Sequence, residues 1–136
     1  MNAKFLRRQN KKRPQRPNFV VLIVEDDLDS ANLYAAVAKK IGCEVLIAEN
    51  GHVALEIIKS RDQIDIILLD LEMPVMNGLR FYIEYVGLGL HPTAKVILTS
   101  SHTLAPDLAE ALQLYAHLPK NTHIDELGKL LEKALA

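Results

Sequence analysis

Four apolar residues, Ile66 to Leu69, deliver a single acid, Asp70, and turn signals follow it at Met73-Pro74 and Asn77-Gly78. A second apolar run, Phe19 to Val24, ends directly in Glu25-Asp26-Asp27. Two further runs end in groups that complement an acid: Val96 to Leu98 leads into Thr99, and His117 to Pro119 leads into Lys120. Taken alone, each acid reads as a turn residue, because Asp favours turns. Together the groups have a chemistry. Carboxylates within a few ångströms of one another repel, and a proton or a cation must relieve them. Mg2+ is a natural relief, since it takes one or two carboxylates, keeps waters and completes its shell with phosphate oxygens. A lysine and a hydroxyl opposite the metal would hold the remaining phosphoryl oxygens, which is the electrostatic apparatus of phosphoryl transfer. Asp70 is the residue free to act as nucleophile, giving an aspartyl phosphate.

These groups can meet only if the runs that carry them lie side by side. Each run is short, unbroken and bounded by turn residues, which suits a strand buried on both faces; Val45 to Ala48 adds a further one. Helical patterns alternate with them. Asp27 to Ile41 has Asp27 or Asp29 as a cap, Leu33, Val37 and Ile41 at helical spacing, and Gly42 as a stop. Val53 to Lys59 sets Ala54, Leu55, Ile57 and Ile58 on one stripe after a turn at Glu49-Asn50-Gly51. Leu79 to Val86 is broken by the glycines and proline between Gly87 and Pro92, and Pro106 to Leu114 begins with a proline that a first turn tolerates. The last helix starts near Thr122, whose spacing to Asp125 has the form of a capping box, and carries Ile124, Leu127, Leu130, Leu131 and Ala134 along one face.

Five strands alternating with five helices predict an α/β fold with a doubly wound parallel sheet. The flavodoxin-like strand order 2-1-3-4-5 is the common solution for five units. In that order strands 1 and 3 are neighbours, so Glu25, Asp26 and Asp70 converge at the carboxyl edge of the sheet, where such folds bind ligands. Thr99 and Lys120 share the rim.

The chain of 136 residues is one domain's worth, with 49% hydrophobic and 24% charged residues. No apolar run approaches the roughly 18 residues that span a bilayer. The only cysteine, Cys43, cannot pair internally and the first residues lack a signal peptide's apolar core, so a reducing cytoplasm is expected. Residues 1–17 hold seven of the 16 basic side chains and no acid, leaving nine bases against 17 acids in the rest. That segment is expected to be a disordered tail. Its plain reading is a solvated arm, and its sharper one is a contact arm for nucleic acid, an anionic lipid surface or an acidic partner.

The strand-end acids in VLIVEDD, the segment LLDLEMPVMNG, the hydroxyl in VILTS and the lysine in HLPK occur in that order, with ENGHVALEII between the first two. At these residues the chain resembles the receiver domains of two-component response regulators, over roughly residues 18–136. The resemblance implies that Asp70 is the phosphoacceptor and that Glu25, Asp26 and Asp70 hold Mg2+ together with the Glu72 backbone carbonyl. It also implies that Thr99 is the switch hydroxyl, that Lys120 contacts the phosphoryl group, and that His117 stands where the family's switch aromatic usually does. A strand histidine packed at the sheet edge is the plainer reading of His117. The chain departs from many receivers at Lys120, which Pro119 precedes and Asn121 follows. The other histidines, His52, His91, His102 and His123, lack metal-ligand spacing and read as surface or loop residues.

The function implied is that of a single-domain response regulator, a signalling protein that catalyses only its own phosphorylation and dephosphorylation. It would take a phosphoryl group from a histidine kinase or histidine phosphotransfer protein and pass the signal to a downstream protein through the face formed by helix 4, strand 5 and helix 5. A pseudo-receiver that binds a partner without phosphorylation is the competing reading, and the assembled acids, Thr99 and Lys120 count against it. A Mg2+-dependent phosphohydrolase would need a general acid or base beside the nucleophile, and Glu72 alone is at hand. No GxxxxGK[ST] or GxGxxG motif is present.

Overall fold

The structure, a computed structural model, describes residues 19–73, 76–101 and 106–136. The basic tail read in the sequence lies outside them. In chain order the elements are β1 (Val20–Val24), α1 (Leu28–Lys40), β2 (Glu44–Ala48), α2 (Gly51–Ser60), β3 (Ile66–Asp70), α3 (Gly78–Leu88), β4 (Lys95–Ser100), α4 (Pro106–Ala111), β5 (Ala116–Pro119) and α5 (Ile124–Ala134). The strands form one sheet in the order β2-β1-β3-β4-β5, and every neighbouring pair is parallel. This is the doubly wound order expected from the alternation of elements. No helix of the described residues is long and apolar enough to cross a membrane.

Strand side chains alternate between the two faces, and the core divides accordingly. Leu22, Val24, Ile67, Leu69, Val96 and Leu98 pack under Leu55 and Ile58 of α2 and Phe81, Tyr82 and Tyr85 of α3. Val21, Ile23, Ile66, Leu68 and Ile97 pack on the other face under α1 and α5. Both faces of β1 and β3 are therefore dry, which is why their sequences are continuous apolar runs with no polar alternation.

The expected stripe of α1 is corrected. Ala31, Ala35 and Ala38 are the buried residues, while Leu33 is 51% exposed. Small side chains let this helix lie close to the sheet, and Val37 and Ile41 turn toward a groove shared with Ile124 and Gly128 of α5. The cap of α5 is corrected too. The helix begins at Ile124 with His123 as N-cap, its Nδ1 accepting from Asp125 N at 3.2 Å, whereas Thr122 N donates to Pro119 O in the preceding turn. Asn50 caps α2 by accepting from Val53 N at 2.9 Å, and Asn77 caps α3 by accepting from Arg80 N at 2.9 Å. Both had read only as turn residues. Helix α4 stops at Ala111, short of Leu114, and Gln113 beyond it takes a left-handed φ of 56°.

Lys95, at the start of β4, secures the far end of α5. Its Nζ donates to Ala134 O at 2.5 Å and lies 5.1 Å from the centre of the Tyr115 ring.

Candidate functional site

The acids stand where β1 and β3 end. Parallel pairing runs Val24 against Leu69 and Asp70 against Thr99, so Asp70 sits between the ends of β1 and β4. Glu25, Asp26 and Asp70 each offer a carboxylate oxygen within 4.8 Å of the others. Glu25 and Asp70 are buried and Asp26 is exposed. One cluster thus has two walls of low dielectric and an open side toward water.

Two oxygens in it have no protein donor: Glu25 Oε1 and Asp70 Oδ2 are buried without a hydrogen bond. Asp70 Oδ1 is better served, accepting from Glu72 N at 3.0 Å and pairing with Lys120 Nζ at 2.9 Å. Lys120 stands 3.9 Å from Glu25 Oε1, near enough to attract but too far to bond. Burial first, then the neighbouring Asp70, pushes the Glu25 carboxyl up to about 8, against the weaker pull of Lys120 and of the Asp27 backbone. A raised carboxyl at Glu25 can take up a proton and so relieve the crowding of the acids. For Lys120, desolvation works against the charge, but Asp70, Glu25 and Glu72 outweigh it and hold the ammonium above its usual range.

The donor set fits a hard divalent cation: carboxylates only, two of them dry and each with an oxygen left over, and an open side for waters. A buried carboxylate oxygen without a donor is costly unless a charge compensates, so Glu25 Oε1 and Asp70 Oδ2 are themselves a reason to expect a cation.

Thr99 is buried at the end of β4 and its hydroxyl donates to Leu69 O at 3.4 Å, a long bond that leaves little to break. Lys120 continues the ladder past β5, its N–H donating to Ser100 O at 2.9 Å. His117 lies on β5 opposite Leu98, half-buried, with Nε2 enclosed and without a hydrogen bond. The structure therefore gathers Glu25, Asp26, Asp70, Thr99 and Lys120 on one rim and leaves His117 within the strand behind it.

Two features escaped the sequence. Gly78 lies so near the end of β3 that a Cβ on it would stand 2.3 Å from Asp70 O and 2.7 Å from Leu71 Cα. Only glycine lets α3 start there, and Gly78 N donates to Leu71 O at 3.0 Å. The glycine was legible as a turn signal, but not its closeness to Asp70. Similarly, Met76 fills the space beside Gly51, where a Cβ would meet its Sδ at 2.6 Å. The second feature is Glu72, whose side chain accepts from Ser101 Oγ at 2.7 Å and from Ser100 Oγ at 3.1 Å. Those bonds, led by the Ser101 hydroxyl, hold its carboxyl down to about 2.

Known proteins resemble this chain in sequence and in fold. The transcriptional regulatory protein ZraR of Escherichia coli O157:H7 is 31% identical over 121 residues, which are 88% of this chain and 27% of that protein. A response regulator receiver protein of Anaeromyxobacter sp. (strain Fw109-5) is 36% identical over 102 residues, 73% of this chain and 41% of the relative. The chain thus spans about a quarter of the length of ZraR, at 27%. Among solved structures, the response regulator TrrA of Thermotoga maritima in complex with Mg2+-BeF superposes with a TM-score of 0.73 at 27% identity, covering 85% of this chain and 98% of that one. The chemotaxis response regulator CheY4 of Vibrio cholerae gives 0.76 at 24% identity over the same shares, a likeness of fold. The model of the response regulator receiver domain matches residues 21–132, and with most of the folded chain inside that match the protein belongs to the receiver domain family of two-component signalling.

Proposed function

We propose that this receiver domain accepts a phosphoryl group on Asp70 from a histidine kinase or histidine phosphotransfer protein and thereby changes its affinity for a downstream protein. The observation that carries the reading is the buried Asp70 carboxylate, paired with Lys120 at 2.9 Å and clustered with two further acids, with one oxygen left without a donor. In the transfer, a bond from phosphorus to an imidazole nitrogen of the donor breaks as a bond to an Asp70 oxygen forms. Lys120 balances the negative charge that collects on the phosphoryl oxygens, and Thr99 offers its hydroxyl to one of them. Glu25, Asp26, Asp70 and the Glu72 backbone carbonyl would hold Mg2+. When bound, that ion neutralises the crowded carboxylates and the incoming phosphoryl charge.

Support for the exit of the signal comes from the packing around Thr99 and Lys120. The loops they begin lead to α4 and α5, and α4 buries no residue. Leu108 on α4 is exposed, and Ile83 and Val86 of α3 border a groove of about 220 Å³ with Ala111 and Leu112. A downstream protein would bind the α4, β5 and α5 face, with His117 between that face and the rim.

Incubating the protein with acetyl phosphate and Mg2+ and reading the intact mass tests the proposal. The native chain should gain one phosphoryl group, and Asp70→Asn should gain none. Uptake by the Asn variant, or by the native chain in excess chelator, would remove Asp70 or the cation from the reading. No uptake at all would leave a binding module without phosphorylation.

A further inference from the structure

Glu72 lies two residues beyond Asp70, and its backbone and side chain are engaged in different directions. Its N–H donates to Asp70 Oδ1 at 3.0 Å. Its carboxylate reaches to the next strand: Ser101 Oγ lies 2.7 Å from both oxygens, and Ser101 N and Ser100 Oγ lie 3.0 and 3.1 Å from Oε1. Ser100 is buried and directly follows Thr99. Its carbonyl in turn accepts from Lys120 N at 2.9 Å. One carboxylate therefore ties the loop after Asp70 to the strand end that carries Thr99 and, through Ser100, to the backbone of Lys120. Hydrogen bonds to an ionised acceptor are the strong class.

The Thr99 hydroxyl is engaged elsewhere, donating to Leu69 O at 3.4 Å. To meet a phosphoryl group on Asp70 it must leave that acceptor, and a shift of the chain from Thr99 to Ser101 stretches the bonds to Glu72. A dianion on Asp70 also places like charge two residues from the Glu72 carboxylate, which disfavours the arrangement further. On the reading that Asp70 is phosphorylated, we propose that the Glu72 carboxylate, held by Ser100 and Ser101, is a latch that keeps the end of β4 in its unphosphorylated position and must release for switching. Bonds made in one state and lost in the other shift the equilibrium by their full worth.

Ser101 is the residue to change. It is exposed, it supplies both a side-chain and a backbone donor to Glu72, and it has no assigned part in holding the metal or the phosphoryl group. The full chain with Mg2+ would be titrated with beryllofluoride and followed by backbone amide shifts. Ser101→Ala should reach half-saturation at about three- to tenfold lower beryllofluoride, as expected for losing one solvent-exposed hydrogen bond from the resting state. Before any addition, its Ser100 and Lys120 amides should already be displaced toward their bound positions. Ser101→Thr keeps the hydroxyl and should return both readouts to the native values. A native response with an unchanged or higher midpoint in Ser101→Ala overturns the latch alone. If neither protein responds to beryllofluoride with Mg2+, the assignment of Asp70 fails and takes the latch with it.

Discussion

Strands β1 and β3 are buried along their whole length, and α1, α2 and α3 each carry a side-chain cap and a buried stripe. Across the sheet, α4 buries no residue and has six residues in all, and β5 is half covered, ending in an exposed Pro119. The acids belong to the first region. Thr99 is the next-to-last residue of β4, which is buried from Val96 onward, and Lys120 belongs to the second region. The difference teaches where movement is cheap. A carboxylate cluster must be held against its own repulsion, which needs dense packing on both faces, whereas groups that respond to a new charge need neighbours that can yield. Local opening follows the lines of weak burial, so α4 and β5 are the elements this fold can displace without loosening its core.

The sharpest way to break that comparison is to overfill the rigid side. Gly78→Ala should cost about 3 kcal/mol or more, the upper end of overpacking, because the new Cβ meets backbone atoms that cannot rotate away. Denaturant unfolding with Mg2+ absent would measure it, and a loss under about 1 kcal/mol would show that β3 and α3 are less fixed than their packing implies. Native-state hydrogen exchange addresses the mobile side. Amides of α4 should exchange at least about a hundredfold faster than those of β1 and β3, since sub-global opening there exposes little apolar surface. Equal protection in both regions would erase the contrast.

Glu25 gives a pH-dependent test of the crowded rim. A carboxyl whose pKa is higher in the folded chain than in the unfolded one favours the fold while protonated. Its contribution is fully present below about pH 4.5 and is lost as pH rises through about 8. In excess chelator, the native chain should therefore lose about 2 kcal/mol relative to Glu25→Gln between pH 4.5 and 8.5, after allowance for water at the open side. Parallel curves for the two proteins would mean that Glu25 is charged in the fold and relieved by something other than a proton. The smallest effect is expected at Gly128 on α5, where a Cβ would sit 3.7 Å from Val37 Cγ1, ordinary contact. Gly128→Ala should stabilise by about 0.5–1 kcal/mol through helix propensity, and a melting temperature that falls would reveal a tighter α1–α5 contact than the distance suggests.

The sequence made the sheet and its rim legible because both are local signals. An apolar run dry on both faces needs no polar alternation, so Ile66 to Leu69 announces β3 and places Asp70 at its end. Helix interiors were harder. In α1 the larger Leu33 drew attention, yet Ala31, Ala35 and Ala38 face the sheet, and periodicity alone does not say which of two overlapping stripes is buried. The start of α5 was misplaced because Thr122 to Asp125 has capping-box spacing, while His123 supplies the acceptor. Contacts between distant side chains were legible only where the strand order brings them to one rim, as for Glu25, Asp26 and Asp70. Glu72 and Ser101 are 29 residues apart, and although the resemblance sets both beside the phosphoacceptor, nothing in the local sequence says that they bond.

The anchoring of α5 by Lys95 has a mechanical consequence. The helix has 11 residues, and its last turn is pinned to the start of β4 through Ala134 O, while its first turn follows the segment that begins with Lys120. A rod held at one end cannot slide; it can only swing. At a rise of about 1.5 Å per residue the helix is about 16 Å long, so a displacement of about 1 Å near Lys120 turns it by about 4° about the pinned end. The outer surface of α5 would then move most next to the acid rim and least at the chain's end. A partner resting on its first two turns would feel the stroke of this lever, and one resting on its last turn would feel almost none.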